Sequence, residues 1–481
     1  MSDYIISING TTVTATPRVS TSPTFTGSDA YTVIQSAINT LSTGNGGSIE
    51  ITTGTYSLSN ELTVTGWSTD SPPNGSLKIS GSGKSTQLIQ TTAGKHAIVV
   101  KNKASIAFND FHIYTGAAAK SGIFLSNAGA NECSVFGGVL YNISLLSNST
   151  TDAAFHAVNF FDLQVDHLYA LGSDNDGILL ENNSPTTFYG NSHFGFVRCA
   201  GSNAAPYAAI KLSSTAYPYT YINLLTFDNL EAITGYYGVY LLGANANTFN
   251  HVDIEYLKYP IYVDGTANNE SIGNRFNGGY VLAQGTGATG VTTAAATGGN
   301  TFNLFIDGDA AVVPINDQSI FRAPSRYDVT FGFPIVPANI VAPNAQAILT
   351  YRKASDGNTV TRYPTPLAGD NSTQVATTAF VNRADLVQKK TRRAIANAAG
   401  TLQATDYLVA YTSLTASRAF TLGAASAFSG MHFVLKDESG SAATYNITIV
   451  GTVNGASNPV AINSAYGVYR FYSNGTAWFT V

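Results

Sequence analysis

The chain has 481 residues, a net charge of −5, and only 11% charged against 44% apolar residues. That length exceeds what one compact core serves, so two or more domains are expected, and the apolar share excludes a disordered chain. The absence of a basic domain argues against nucleic acid, and no run nears the ~20 apolar residues of a membrane helix.

Residues 1–27 are rich in Ser, Thr and Pro with little periodicity and read as an extended lead-in. The opening, Met1-Ser-Asp-Tyr-Ile-Ile, has no basic region followed by an apolar stretch, so synthesis and folding in a cytosol are expected. Ser28 and Asp29 can cap a helix from Ala30 to Leu41, with Ile34, Ala37, Ile38 and Leu41 on one face. Gly44-Asn-Gly-Gly47 ends it and Ser48-Ile-Glu-Ile51 begins a strand. A lone amphipathic helix before a strand series predicts a cap over the open end of a solenoid.

The solenoid is predicted over 28–335 from two recurring phrases. Asn247-Thr-Phe-Asn250, Asn274-Arg-Phe-Asn277 and Asn300-Thr-Phe-Asn303 start 27 and 26 residues apart. Short alternating runs recur beside them: Gly122-Ile-Phe-Leu, Gly177-Ile-Leu-Leu, Ala209-Ile-Lys-Leu, Gly238-Val-Tyr-Leu and Pro260-Ile-Tyr-Val. Unequal spacing of short β runs closed by turn residues suits a β-solenoid with loops of different length. Cys133 and Cys199 have no metal-type spacing and are expected as packed thiols. Residues 336–400 read as a linker with a helix from Thr378 to Ala398, carrying Phe380, Ala384, Val387 and Ala394 as an apolar stripe and ending at Gly400. The basic run Lys389-Lys-Thr-Arg-Arg393 reads as a solvated face of that helix.

Three stretches carry family resemblances. Ile34-Gln-Ser-Ala-Ile38, Gly46-Gly-Ser-Ile-Glu-Ile51 and Gly54-Thr-Tyr56 resemble the entry signature of pectate-lyase-like right-handed parallel β-helices. That family includes lyases, hydrolases and non-enzymatic viral proteins, so it implies a fold without a function. Thr365-Pro-Leu-Ala-Gly-Asp-Asn-Ser-Thr-Gln-Val-Ala-Thr-Thr-Ala-Phe-Val381 resembles a motif of bacteriophage tail fibres and tailspikes. Val434-Leu-Lys-Asp437, Asn446-Ile-Thr-Ile449 and Tyr469 to Val481 resemble the small β-sandwich that closes many phage tail proteins, here 401–481 with Asn-Gly and Glu-Ser-Gly turns of an antiparallel arrangement. Together they imply a phage tailspike: an all-β homotrimer on the virion tail, made in the host cytoplasm and acting at the host surface. The implied partners are bacterial surface polysaccharide and a phage tail or baseplate adaptor protein. Attachment to the particle is expected through 1–27 or through that adaptor.

The chemistry is less direct. Gly81-Ser-Gly-Lys84-Ser85 fails as a phosphate loop because Lys78 stands where a glycine is needed, and it reads as a turn. Asp174-Asn-Asp176-Gly177 partly resembles a polygalacturonase-type motif, making Asp176 a candidate acid, but the companion motifs are missing and an Asp/Asn turn is the alternative. Taking Leu168, Val197, Leu230, Ile254 and Val281 as successive inward residues, the next positions form an outward column: Tyr169, Arg198, Glu231, Glu255 and Leu282. The preceding positions are His167, Phe196, Asn229, Asp253 and Tyr280. Stacked rungs lie about 4.8 Å apart, so Glu231 and Glu255 are expected as stacked carboxylates with Asp253 beside them, an arrangement that suits glycosidic bond cleavage. Arg198 and Tyr169 could hold an acidic sugar, or remove a proton in a lyase, with Tyr237, Tyr240 and Tyr256 as stacking faces. His251 is a further candidate acid. Nothing requires a metal or other cofactor. Two functions follow, a polysaccharide depolymerase and a non-catalytic receptor-binding tail protein.

Overall fold

A computed structural model describes residues 3–19, 21–42, 46–65, 76–101, 104–126, 135–185, 189–308, 312–319, 324–332, 340–341, 348–353, 359–362, 391–457 and 460–481. The chain forms two compact units, Met1–Pro364 and Thr365–Val481.

In the first unit the chain shuttles between a large sheet and a smaller eleven-stranded one. Thr226–Ala232 lies in the large sheet, Tyr237–Leu242 in the smaller, Val252–Leu257 in the large and Tyr259–Asp264 in the smaller. Each strand pairs in parallel with its counterpart one rung away. Ile178, Ile210, Val239 and Ile261 follow one another in register, as the recurring phrase predicts. This is a parallel β-helix, with its apolar residues turned into the space enclosed by the sheets.

Parallel stacking brings the same rung position round at every turn, so like residues meet. Phe194, Phe227, Phe249, Phe276, Phe302 and Tyr327 form a continuous stack with ring centroids 4.5–5.3 Å apart. The asparagine that opens each Asn-x-Phe-Asn phrase is fully buried. Asn274 Oδ1 accepts the Asn247 backbone N–H at 3.1 Å, and Asn300 Oδ1 does the same for Asn274 at 2.9 Å. Their amides donate to the Ala244 and Ser271 carbonyls. The ladder therefore satisfies backbone groups at a corner where no strand partner reaches them.

The entry differs from expectation. Tyr4–Asn9 and Thr12–Pro17 form an antiparallel hairpin, and Tyr4–Ile6 pairs in parallel with Ile49–Ile51. Tyr4, Ile6, Val13 and Ala15 are buried, so residues 4–17 belong to the β-helix instead of leading into it. The helix Ala30–Ser42 buries Ile34, Ala37 and Ile38. Asp29 caps it, accepting the Tyr31 and Thr32 N–H groups at 3.2 Å and the Ser59 hydroxyl at 2.7 Å. Gly81–Ser85 forms a turn, with Gly83 in the left-handed region. The parallel ladder continues beyond 335 to Ile348–Lys353, whose antiparallel partner is Thr359–Arg362.

Residues 363–390, which hold all of the tail-fibre motif and the first part of the expected helix, lie outside the described residues. Thr391–Ala396, read from the sequence as helix, is a β-strand. Its Arg393 holds Asp406 at 2.6 and 2.8 Å, and Arg392 pairs with Glu438, so these arginines are tied into the unit. The short-range cue of an alanine-rich stretch loses here to pairing across sequence with Asp406–Ser413. A seven-stranded and a four-stranded sheet share one core containing Val409, Phe420, Phe433, Ile449 and Trp478. Their first strands pair in parallel, Thr391–Ala396 through His432–Asp437 in one sheet and Gly400–Thr401 through Ile447–Val450 in the other. The antiparallel pairing read from the turns appears later, in the hairpin of Thr452–Val453 with Ala456–Ser457 around Asn454-Gly455, and at Ala461–Ile462 and Val468–Ser473.

Candidate functional site

The outer face of the large sheet carries the column that the sequence suggests, in a different register. Tyr169, Arg198 and Glu231 follow one another as expected. The next neighbour of Glu231 is Asp253, not Glu255, because Leu230 pairs with Val252. Val252 and Ile254 are both buried, so a two-residue slip keeps every apolar side chain inward and the alternation cannot detect it. Aligning Thr226-Phe-Asp228 with Thr248-Phe-Asn250 instead gives the observed register. The column runs His112, Ser144, Tyr169, Arg198, Glu231, Asp253, Tyr280 and Phe305.

Neighbours in this stripe interact. Lys84 Nζ stands 5.5 Å from the Tyr169 ring centre, and Arg198 Nε lies 3.5 Å from Glu231 Oε1. The Tyr280 hydroxyl donates to Asp307 Oδ2 at 3.2 Å. Partial burial and the Asp307, Glu255 and Asp253 carboxylates push that phenol up. Glu255 thus belongs to the acidic end of the stripe, one rung and two positions from Glu231. Tyr256 is lifted clear at a register irregularity, with φ +62° and 59% exposure.

The other predicted residues lie elsewhere. Asp176, 6% exposed, accepts the Ala208 N–H at 2.6 Å at a rung corner. Burial pushes its carboxyl up to about 6. It is the anchoring turn residue of the alternative reading, not an acid facing a polymer. Tyr237 and Tyr240 sit on the smaller sheet, a different face from Glu231. With Tyr236, Tyr259 and Tyr262 they form a ring cluster at 4.7–5.8 Å, flanked by Lys211 and Lys258. Further along that sheet His156 bridges Asp152 and Glu181 at 2.7 and 2.8 Å. Burial pulls the imidazole down, but its two carboxylate partners outweigh this and raise it to about 9. Burial holds neighbouring His96 down at about 4. Cys199 is a buried thiol, and Cys133 lies outside the described residues.

A second feature of the large sheet escaped sequence reasoning. The strands Ala104–Thr115, Val135–Ser147 and Phe160–Gly172 each pass through a bend at the same register position, where Asp110, Asn142 and His167 are left-handed. Asp, Asn and His tolerate that conformation better than most residues. A groove of about 680 Å³ lies beside it, crossing four rungs from Tyr141 through Asp166 and His193 to Asp228. His193 Nε2 is 2.7 Å from Asp228 Oδ2, and Asn250 Nδ2 donates to Asp228 Oδ1 at 2.9 Å. Asp166 Oδ1 accepts the Phe196 N–H at 3.0 Å and lies 3.1 Å from His167 Nδ1. Among residues of the predicted columns, only His167, Phe196 and Asn229 line it. The available signal was Asp228, a carboxylate at the position that Asn250 and Asn277 hold in later rungs.

Among the described residues, no group of His, Cys, Asp and Glu could hold a metal ion, and no helix is long and apolar enough to cross a membrane. No family model matches the chain, and no curated protein does. Solved structures similar to it include tailspike protein 2 of Escherichia coli O157:H7 bacteriophage CBA120, at 11% identity and TM-score 0.37, over 62% of this chain and 40% of that one. The ORF18 protein of Geobacillus virus E2 matches at 14% identity and TM-score 0.30, over 68% and 58%. The A-module of an Azotobacter vinelandii mannuronan C-5 epimerase, AlgE6, matches at 13% and 0.34, over 64% and 96%. The two viral matches thus span less than two-thirds of those proteins' own length. At such scores the fold rests on the strand register itself.

Proposed function

We propose that this chain is a tailspike-type protein of a virion tail that binds bacterial surface polysaccharide lengthwise on its β-helix and cleaves glycosidic bonds. The observation that carries the reading is the outward stripe of Tyr169, Arg198, Glu231, Asp253 and Tyr280 on consecutive rungs. A rigid face with aromatic, cationic and acidic groups at rung intervals suits an extended polymer of sugar rings, with apolar ring faces and hydroxyls to satisfy. Glu231 and Asp253, on neighbouring rungs about 4.8 Å apart, are the proposed carboxylate pair, a separation near that of retaining glycosidases. Glu255 flanks them. Tyr169 and Arg198 position the sugar, with Tyr256 as an exposed stacking face. Right-handed winding, assembly as a homotrimer, and attachment to the tail through an adaptor protein belong to the same proposal.

The test is incubation with capsule and lipopolysaccharide from a bacterial panel, following reducing ends and the absorbance of unsaturated uronates. New reducing ends without that absorbance are expected, and their loss is expected in Glu231→Gln. Both signals together would replace hydrolysis with elimination and move the chemistry to Arg198 and Tyr169. The Arg198–Glu231 ion pair favours a second reading, because it engages the carboxylate that cleavage needs. On that reading the protein is a receptor-binding tail protein, and bound polysaccharide stays intact.

A further inference from the structure

The stripe and the bend groove lie on the same sheet but differ in charge. The stripe includes Arg198 and has Lys84 over one of its rings. The groove is lined by Asp166 and Asp228, by His167 and His193, and, among the described residues, by no lysine or arginine. Its carboxylates are partly exposed, Asp166 at 48% and Asp228 at 40%, and each is held in place by hydrogen bonds. Asp228 is gripped by Asn250, which is itself oriented by the Asn277 amide at 3.0 Å, so a hydrogen-bond relay joins four rungs from Asn277 to His193. Gly195 makes room for Asp166, since a Cβ there would stand 2.6 Å from its Oδ1. Tyr141, about half exposed, stacks edgewise on His167 and offers an aromatic wall.

We propose that this groove is a glycan subsite that takes an amino-bearing or uncharged sugar and rejects uronates. The inference rests on the polysaccharide-binding reading above and adds the chemical class of one sugar. A uronate carboxylate entering here would face Asp166 and Asp228 with no guanidinium or ammonium to neutralise it. An amino sugar would meet both as hydrogen-bonding counter-charges, with a ring face on Tyr141. The hydrogen bonds from Asn250 and His193 hold Asp228 below the usual carboxylate range. For Asp166, slight burial is outweighed by the Phe196 N–H and His167, with the same result.

The test uses the full chain and three probes, oligomers of glucosamine, N-acetylglucosamine and galacturonate, titrated calorimetrically and by saturation-transfer NMR. Glucosamine oligomers are expected to bind at least about tenfold tighter than galacturonate oligomers, the scale of one charge interaction partly screened by water. The double variant Asp166→Asn/Asp228→Asn should reduce that ratio to about threefold or less. Tyr141→Ala should weaken the glucosamine and N-acetylglucosamine probes alike. The wild-type ranking needs no variant to fold. Galacturonate binding as tight as glucosamine overturns the inference. So does failure of the amino and neutral probes in a protein that retains a bacterial polysaccharide, and that result leaves the proposed function standing. Retention of no surface polysaccharide overturns the proposed function itself.

Discussion

The inner and outer sides of the same strands obey different rules. Inside, the asparagine and phenylalanine of each rung meet their own kind, at Asn247, Asn274 and Asn300 and from Phe194 to Phe302. Outside, one column passes through Ser144, Tyr169, Arg198, Glu231, Asp253 and Tyr280 without repeating. Parallel stacking accounts for the first pattern, because a residue that suits one rung suits the rung above it. It places no such demand on the second. Regularity inside the solenoid therefore reports stability, and the irregular outer column is where the proposed polysaccharide would be read.

The sharpest way to break this contrast is from within. Phe249→Ala removes a ring stacked at 4.9 and 4.5 Å between Phe227 and Phe276. A loss of about 3–5 kcal/mol is expected, read as a lowered denaturant midpoint. Asn274→Ala should follow at on the order of 3 kcal/mol, because it strands the Asn247 N–H and the Ala244 carbonyl in a dry corner. If either variant unfolds like the wild type, the repeats are not what holds the rungs together.

These inner features were the most legible in the sequence. The Asn-x-Phe-Asn phrase marks both the ladder and the stack, and the Ile-containing runs mark the smaller sheet. Register on the outer face was not legible at two-residue precision, since Val252 and Ile254 face inward equally. The groove was harder still. Its strands bend at left-handed residues such as His167, which interrupt the alternation on which outward columns are counted. The entry hairpin was missed because Thr and Ser between Ile6, Val13 and Ala15 mask its alternation. Thr391–Ala396 was missed because its partner strand begins ten residues after it ends, at Asp406.

His156 sharpens the contrast, as a residue of the smaller sheet committed to structure. Its folded-state pKa of about 9 stands above the ordinary value of 6.5. The stability from its bridge to Asp152 and Glu181 is therefore fully present below about pH 6.5 and lost as pH rises through about 9. A loss on the order of 2–3 kcal/mol across that window is expected. Thermal unfolding as a function of pH measures it, and His156→Gln should flatten the profile. An unchanged midpoint between those two pH values would show that the imidazole is neutral in the folded chain.

The smallest stability effect belongs to the stripe, and it separates the two sides most directly. Arg198 and Glu231 are 42% and 25% exposed and 3.5 Å apart, so solvent screens their attraction. Removing the pair with Arg198→Ala should cost at most about 1 kcal/mol. The same change removes the only arginine of the column from beside the proposed carboxylates, so polysaccharide binding should fall by about tenfold, the scale of a lost charge-assisted hydrogen bond. Measured together, the unfolding midpoint and the affinity distinguish two roles for one residue. A large stability loss with unchanged binding would make Arg198 a strut of the β-helix, and the outer column would then be shaped by folding after all.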